Sequence, residues 1–452
     1  MAAGRRRKSG DGCAGASRPG SGGRGAGEAE SPGRCNLPGG REPPASDPCS
    51  GHHYQSRPRV ARVDYLTRMA RTPAPDTAAA SPLRGATRPA PTLLDLTPDA
   101  ARARIESWVA ERGLPRYRTE QIVPRLWQRP VAAWEEATDL PRALRRELDD
   151  AFPLPRLELE VAQQSSDGTA KFLWRLADGE AIESVLIPQG KRRTLCISSQ
   201  AGCALGCVFC ATGTMGFRRN LSAGEIAGQV REVARRALAP VEGTPPAEAA
   251  RPARVASLTN VVFMGMGEPL LNWPAVDAAL TILNRPEGLG IGARHITVST
   301  VGIIPGMRHL ARRPEQFRLA VSLHAADSGR RHALMPIQRK YPLAEVLEVA
   351  REFRQRVTFE YVLIAGANDS DADADALASQ ARALGALVNL LPLHPGGDPA
   401  LSPTPVGGMR RFAQRLRNQG VDAVVRRSRG LDIDAACGQL SAKRGERGAA
   451  SG

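Results

Sequence analysis

Cysteine is scarce in this chain. Eight cysteines in 452 residues are too few for a disulfide scaffold. Long apolar runs are missing too, so no membrane-spanning helix is expected. Residues 1–12 are basic and lack an apolar core, which argues against a secretory signal. Together these absences predict a cytoplasmic protein without membrane attachment. Acidic residues are in deficit, 46 against 62 Lys and Arg, for a formal net charge of +16. That excess favours a polyanionic partner such as nucleic acid and says nothing about fold.

The charge is concentrated at the start. Residues 1–92 hold 15 Lys and Arg against 7 Asp and Glu, and residues 1–50 hold 12 Gly and 6 Pro with almost no aliphatic side chains. Such a segment cannot bury enough apolar surface to offset its ordering entropy. A disordered basic extension over 1–92 is expected, either dispensable or an arm that touches RNA. Its cysteines, Cys13, Cys35 and Cys49, take no role.

Residues 93–155 read as a small helical accessory domain with helices over 98–112, 118–128 and 140–151. Ile105, Trp108 and Val109 fall at helical spacing, and Gly113 and Pro115 stop the first helix. Arg116, Arg118, Arg125 and Arg129 make it basic, as an RNA grip or merely a solvated face. From residue 156 onward strands alternate with amphipathic helices. Strands are expected over 156–163, 171–176, 181–188, 194–198, 258–264, 295–300, 317–323, 357–364, 387–392 and 421–426. The first three are antiparallel, turning at Asp167-Gly168 and Asp178-Gly179. Ser222 and Glu225 form a capping box ahead of Ile226, Val230 and Val233. The pattern predicts an α/β fold, a parallel sheet covered by helices and curled into a partial or full (β/α) barrel. The expected divisions are an antiparallel strand extension over 156–193, the barrel over 194–440 and a flexible tail over 441–452.

Ligands gather at the carboxyl ends of parallel strands, and chemically active residues follow the strands here. Cys203, Cys207 and Cys210 form a C-x3-C-x2-C run after the strand at 194–198. Structural zinc wants four ligands, and an iron–sulfur cube normally takes four thiolates. Three would leave one iron open to a substrate or cofactor; a zinc knuckle and three buried thiols are the alternatives. Gly267 and Glu268 follow the strand at 258–264, in a turn where the backbone can approach a ligand closely. Ser299, and then Ser322, Leu323 and His324, stand at two further strand ends.

The cysteine run, with Phe209 before its last member, resembles the signature of the radical S-adenosylmethionine (SAM) superfamily. The resemblance implies a [4Fe–4S] cluster on Cys203, Cys207 and Cys210, with SAM at the open iron. Gly265-Met-Gly-Glu-Pro resembles the superfamily segment that binds the SAM amino group. Longer stretches are similar to the adenine C2 RNA methyltransferases: the twenty residues from Thr194, Phe217-Arg-Arg-Asn-Leu, 260–272, Ser322-Leu-His-Ala and Asp432-Ile-Asp-Ala-Ala-Cys-Gly-Gln-Leu. The likeness spans about 93–440.

This resemblance implies a radical barrel enzyme that methylates C2 of an adenine in large-subunit rRNA and in tRNA. Adenine C2 is electron-poor, so polar methyl transfer is unfavourable. By resemblance Cys437 first takes a methyl group from one SAM. A 5′-deoxyadenosyl radical made from a second SAM removes a hydrogen from that methyl group, and the resulting radical adds to C2. Glu183 is the implied proton acceptor. Cys196 then attacks the sulfur, forming a disulfide with Cys437 and releasing the product. Gly267, Glu268, Ser299, Ser322, Leu323, His324 and His394 are the implied SAM contacts. His394 replaces a usual Asn, as does Gln338, a change for which the sequence offers no account. Arg218, Arg219, Arg426, Arg427 and Arg429 are candidate phosphate contacts. The expected partners are rRNA, tRNA and an unidentified reductant, and the expected state is a monomer. Methylation at adenine C8 and a non-enzymatic zinc-binding RNA module remain alternatives at this point.

Overall fold

The computed structural model describes residues 91–155, 157–236 and 258–442. The expected basic extension, apart from residues 91 and 92, and the tail beyond residue 442 lie outside them.

Three helices open the described chain: α1 (Pro98–Glu111), α2 (Tyr117–Ile122) and α3 (Arg142–Ala151). Pro98 sits in the first turn of α1, where a missing N–H costs nothing. Ala101, Ile105, Trp108 and Val109 are its buried face. Gly113 adopts φ +63, the left-handed conformation that ends a helix. The second helix is shorter than expected. Pro124 interrupts it, and the chain tightens into a 3-10 turn over Val123–Arg125.

All ten expected strands form one sheet. Strands β1 (Glu158–Gln164), β2 (Ala170–Arg175), β3 (Ala181–Gln189) and β4 (Arg192–Cys196) pair antiparallel in succession. The turns fall at Gly168 and Gly179, both with positive φ. Two short strands missing from the expectations, β5 (Gln200–Gly202) and β6 (Phe217–Asn220), make a separate antiparallel pair. They enclose the cysteine loop and a single-turn helix, α4 (Ala211–Thr214). Helix α5 (Ala223–Arg236) follows, and its capping box forms: the Ser222 N–H donates to Glu225 Oε2 at 2.8 Å, and the Glu225 N–H to Ser222 Oγ at 3.1 Å.

The rest repeats strand and helix. β7 (Asn260–Phe263) pairs parallel to β4, and β8 (Ile296–Thr300), β9 (Arg318–Ser322), β10 (Thr358–Leu363), β11 (Leu387–Pro392) and β12 (Ala423–Val425) add on in parallel, in chain order. Between them lie α6 (Trp273–Asn284), α7 (Ile304–Ala311), α8 (Ser328–Leu334), α9 (Leu343–Ala350), α10 (Asp371–Leu384) and α11 (Val406–Asn418). Helix α6 buries Val276, Leu280 and Leu283, each worth roughly 2 kcal/mol of apolar transfer. One contiguous apolar core runs from Leu93 to Leu440.

The sheet is open, since β1 and β12 each have one neighbour; the closed form of the barrel does not occur. It is strongly curled nonetheless. Gly430 lies five residues beyond β12, and its N–H donates to Asp167 Oδ2, in the β1–β2 turn, at 3.1 Å. Five extended residues reach at most ~18 Å, whereas strands so far apart in a flat sheet would be separated by roughly 38 Å. The segment after β12 therefore spans the gap between the two edges. It is tied further by Ser166 N–H to Asp432 Oδ2 and Lys171 Nζ to the Asp434 carbonyl. Residues 441 and 442, expected to be a flexible tail, are instead held by Glu183.

Candidate active site

The cysteine loop is pinned at many points. The Cys203 N–H donates to the Gly216 carbonyl at 3.0 Å, Val208 to Leu334 at 3.2 Å, and Ala211 to Gly438 at 2.8 Å. All three thiols line one cavity of about 160 Å³ at the carboxyl ends of the parallel strands. Burial pushes the Cys203 thiol up to about 12 and Cys207 well above the ordinary thiol value, and Cys210 raises both further. Ionising Cys203 and Cys207 is costly unless a cationic centre compensates, and thiolates are what such a centre needs. Among the described residues no three His, Cys, Asp or Glu side chains gather tightly enough for a single metal ion. Three sulfurs facing a shared cavity would hold three irons of an iron–sulfur cube and leave the fourth open, whereas structural zinc wants four ligands.

The adjoining strand ends supply the rest of the lining. Gly267 has φ +92, and a Cβ there would collide with the Gln200 side chain; only glycine fits. Glu268 is buried. It accepts the Leu270 N–H on Oε1 and the Val301 N–H on Oε2, both at 3.0 Å. Burial nevertheless lifts its carboxyl to about 7, so an incoming ammonium group would favour the ionised form. The Ser299 and Ser322 hydroxyls are 3.4 Å apart. His324 has φ +54, and the Val362 N–H donates to its Nδ1 at 3.0 Å. The neutral ring therefore carries its proton on Nε2. Burial, with Arg331 adding to it, holds its pKa down to about 3. His394 lines the same cavity, its Nε2 2.6 Å from Ser428 Oγ, so this replacement of the usual Asn keeps a polar group in the lining.

Cys437 and Gly438 complete the wall. Cys437 is exposed toward the cavity, yet surrounding protein pushes its thiol up to about 11, with Glu360 the next contributor. Cys196 ends β4, buried, and its thiol is raised first by burial and then by Cys437, which places the two thiols in electrostatic reach. Both are free.

Three expected site residues do not line the cavity: Cys196, Leu323 and Glu183. Leu323 contributes backbone, its N–H donating to the Glu360 carbonyl at 3.0 Å. Glu183 binds Lys171 at 3.2 Å through Oε1, and through Oε2 accepts the Ser441 and Ala442 N–H groups at 2.8 and 3.1 Å. Two expected phosphate contacts are also corrected. Arg219 braces α5 to the β2–β3 turn by pairing with Glu225 and Asp178, and Arg429 donates to the Asp167 carbonyl. Arg218, Arg426 and Arg427 stay exposed. Sequence reasoning missed Glu360, a buried carboxylate in the cavity wall held by Asn389 Nδ2 at 2.8 Å. Its signal was one charge inside an otherwise apolar strand.

A larger groove of about 670 Å³ lies between the helical segment and the β1–β3 edge. It holds no thiol or imidazole, and its Arg175, Glu232 and Arg235 are ion-paired.

Comparison with known proteins agrees with this chemistry. Residues 197–378 match the Radical SAM superfamily. A protein of Gemmatimonas aurantiaca named "Probable dual-specificity RNA methyltransferase RlmN" is 56% identical over 354 residues, covering 78% of this chain and 94% of that one. The dual-specificity RNA methyltransferase RlmN of Anaeromyxobacter dehalogenans is 46% identical over 360 residues, with the same coverage. The crystal structure of a radical SAM methyltransferase from Sphaerobacter thermophilus superposes with a TM-score of 0.70 at 46% identity, over 78% of this chain and 99% of that one. The zinc-module alternative falls with these matches. The chain belongs to the RlmN dual-specificity RNA methyltransferase family of the radical SAM superfamily, whose members use a [4Fe–4S] cluster and SAM.

Proposed function

We propose that this protein methylates C2 of a specific adenine in large-subunit rRNA and in tRNA, with Cys437 as the methyl-carrying thiol. One observation carries the reading: Cys437 opens into the same cavity as Cys203, Cys207 and Cys210. When bound, the cluster and SAM supply the methyl group and the one-electron chemistry that an electron-poor carbon requires. The chain does the rest. Cys203, Cys207 and Cys210 hold the cluster. Gly267 lets the chain turn past Gln200 and brings its backbone to the SAM site, Glu268 accepts the SAM ammonium, and Ser299, Ser322, His324 and His394 offer hydroxyl and imidazole groups, with the Leu323 backbone behind them. Cys437 must lose a proton held at about 11 before it can accept a methyl group. Cys196 is the resolving thiol. Glu183 takes the C2 proton once residues 441 and 442 release its carboxylate.

The target adenine must leave its stack to enter so small a cavity. Arg218, Arg426 and Arg427 hold flanking phosphates, and the basic helical segment over 93–155 extends the grip. The enzyme works as a monomer in the cytoplasm, where its RNA substrates are, and draws electrons from a separate one-electron donor. The C8 alternative finds no support in the names of these relatives.

Nucleoside mass spectrometry on RNA from a deletion strain tests the assignment. Loss of 2-methyladenosine from rRNA and tRNA, restored by the intact chain, is expected; an 8-methyl product lost in its place would overturn the regiochemistry.

A further inference from the structure

Arg331 lies behind the cavity wall, bonded to the carbonyl of the lining residue Val301, and the proposed chemistry does not use it. It lies on α8 and is fully buried. All its hydrogen bonds go to neutral oxygens: Nε to the Leu323 carbonyl at 3.3 Å, Nη1 to Gln338 Oε1 at 2.5 Å, and Nη2 to the Val301 carbonyl at 2.6 Å. No carboxylate pairs with it among the described residues. A buried guanidinium without a counter-charge is expensive, and burial lowers its pKa to about 10.

Its surroundings say what it faces. Helix α8 abuts the cysteine loop, where the Leu334 carbonyl accepts the Val208 N–H. Val208, the residue after Cys207, is tied by that bond to the helix that carries Arg331. The residues that accept its hydrogen bonds adjoin the cavity lining: Val301 is part of it, and Leu323 lies between Ser322 and His324, which are. The bond from Arg331 Nη1 explains why an amide stands at Gln338, though nothing in the structure explains Gln in place of Asn. Whatever stands there must accept a hydrogen bond from the guanidinium without neutralising it, which an amide does.

We infer that Arg331 is the buried counter-charge of the iron–sulfur cluster, a positioning residue that makes the cluster easier to reduce. Three thiolates leave the cluster net negative, and the electron it accepts adds a further negative charge in a low-dielectric site. A fixed cation nearby stabilises the reduced form more than the oxidised form. Gln338 keeps that cation in place and uncompensated. The inference rests on Cys203, Cys207 and Cys210 being the cluster ligands.

An EPR-monitored reductive titration of anaerobically reconstituted protein, without RNA, tests it. Arg331→Met lowers the ratio of reduced to oxidised cluster at a fixed potential by at least about tenfold, a shift of ~59 mV for a one-electron couple, and Arg331→Lys restores most of it. Gln338→Glu guards against a folding defect in Arg331→Met. It gives the buried cation a partner, so the cluster-free protein becomes more heat-stable while the reduced fraction falls as in Arg331→Met. A purely structural Arg331 would not move stability and potential in opposite directions. An unchanged titration in Gln338→Glu, with full iron and sulfide content, overturns the inference. Iron retained in full by a Cys203, Cys207 and Cys210 triple serine variant would instead overturn the ligand assignment, a separate failure.

Discussion

Among the described residues two arginines are fully buried, in two different regions, and they are handled in opposite ways. At the junction between the helical segment and the barrel, Arg231 donates to the Leu126 carbonyl at 2.9 Å and to the Val131 carbonyl, and pairs with Glu232 at 2.7 Å. Beneath the cavity, Arg331 meets only neutral acceptors. The junction closes its electrostatics within the protein; the cavity leaves a charge and three thiols to be completed by what binds there. The difference separates a place built to hold parts together from a place built to take up a cofactor.

Variants can break that contrast. The largest effect is expected from Cys207→Ala, which removes a cluster ligand: iron falls to background and methylation drops by more than about 1,000-fold, while the circular dichroism spectrum is kept. Next, Cys196→Ala accumulates a covalent protein–RNA adduct visible on a denaturing gel, and Cys437→Ala forms none. Because Cys437 faces open space, its loss shifts unfolding free energy by under about 0.5 kcal/mol, checked by urea titration. At the junction, Arg231→Met does the reverse: it costs about 3 kcal/mol in the same titration and leaves reconstituted iron content intact.

Smaller effects sharpen the division between free and tied cations. Replacing Arg426 and Arg427 with Gln weakens RNA binding and flattens the dependence of log Kd on log salt by about one to two units. Arg219→Gln leaves that slope alone, because its charge already serves Asp178 and Glu225. The smallest change concerns the clasp at Asp167. Burial works against its ionised form, but hydrogen bonds from Thr169, Gly430 and Ser165 win and hold its pKa down at about 2. A depressed carboxylate stabilises the fold above its unfolded value of roughly 3.9. That contribution is lost as pH falls through about 2. Asp167→Asn should lower stability by about 1 kcal/mol at pH 7, and that penalty should shrink through pH 2 and vanish below it.

The strands were legible because each carries a local pattern, an apolar run or an alternation bounded by Gly, Pro or polar turns. The pair β5 and β6 was not: three and four residues of mixed polarity carry no period. The cysteine loop was legible from spacing, and Gly267 from its place after a strand. Charges were legible only as charges. Arg219, Arg331 and Arg427 look alike in the sequence, yet one is an internal brace, one a buried cation and one exposed, because the folded surroundings decide the matter, with partners as far off as Asp178 and Val301. Glu183 and residues 441–442 meet across 258 positions, which no local pattern announces. The amide at Gln338 made sense only once Arg331 was found behind it.

The seam of the barrel has a consequence for how the enzyme comes into being. The edge formed by β1–β3 is made early and must wait for residues 430–442, more than 250 positions later, before its last hydrogen bonds exist. Contacts that distant form slowly. A ribosome that stalls before Gly430 leaves a cavity that lacks Cys437 and Gly438 in its wall and the strap that joins the two sheet edges.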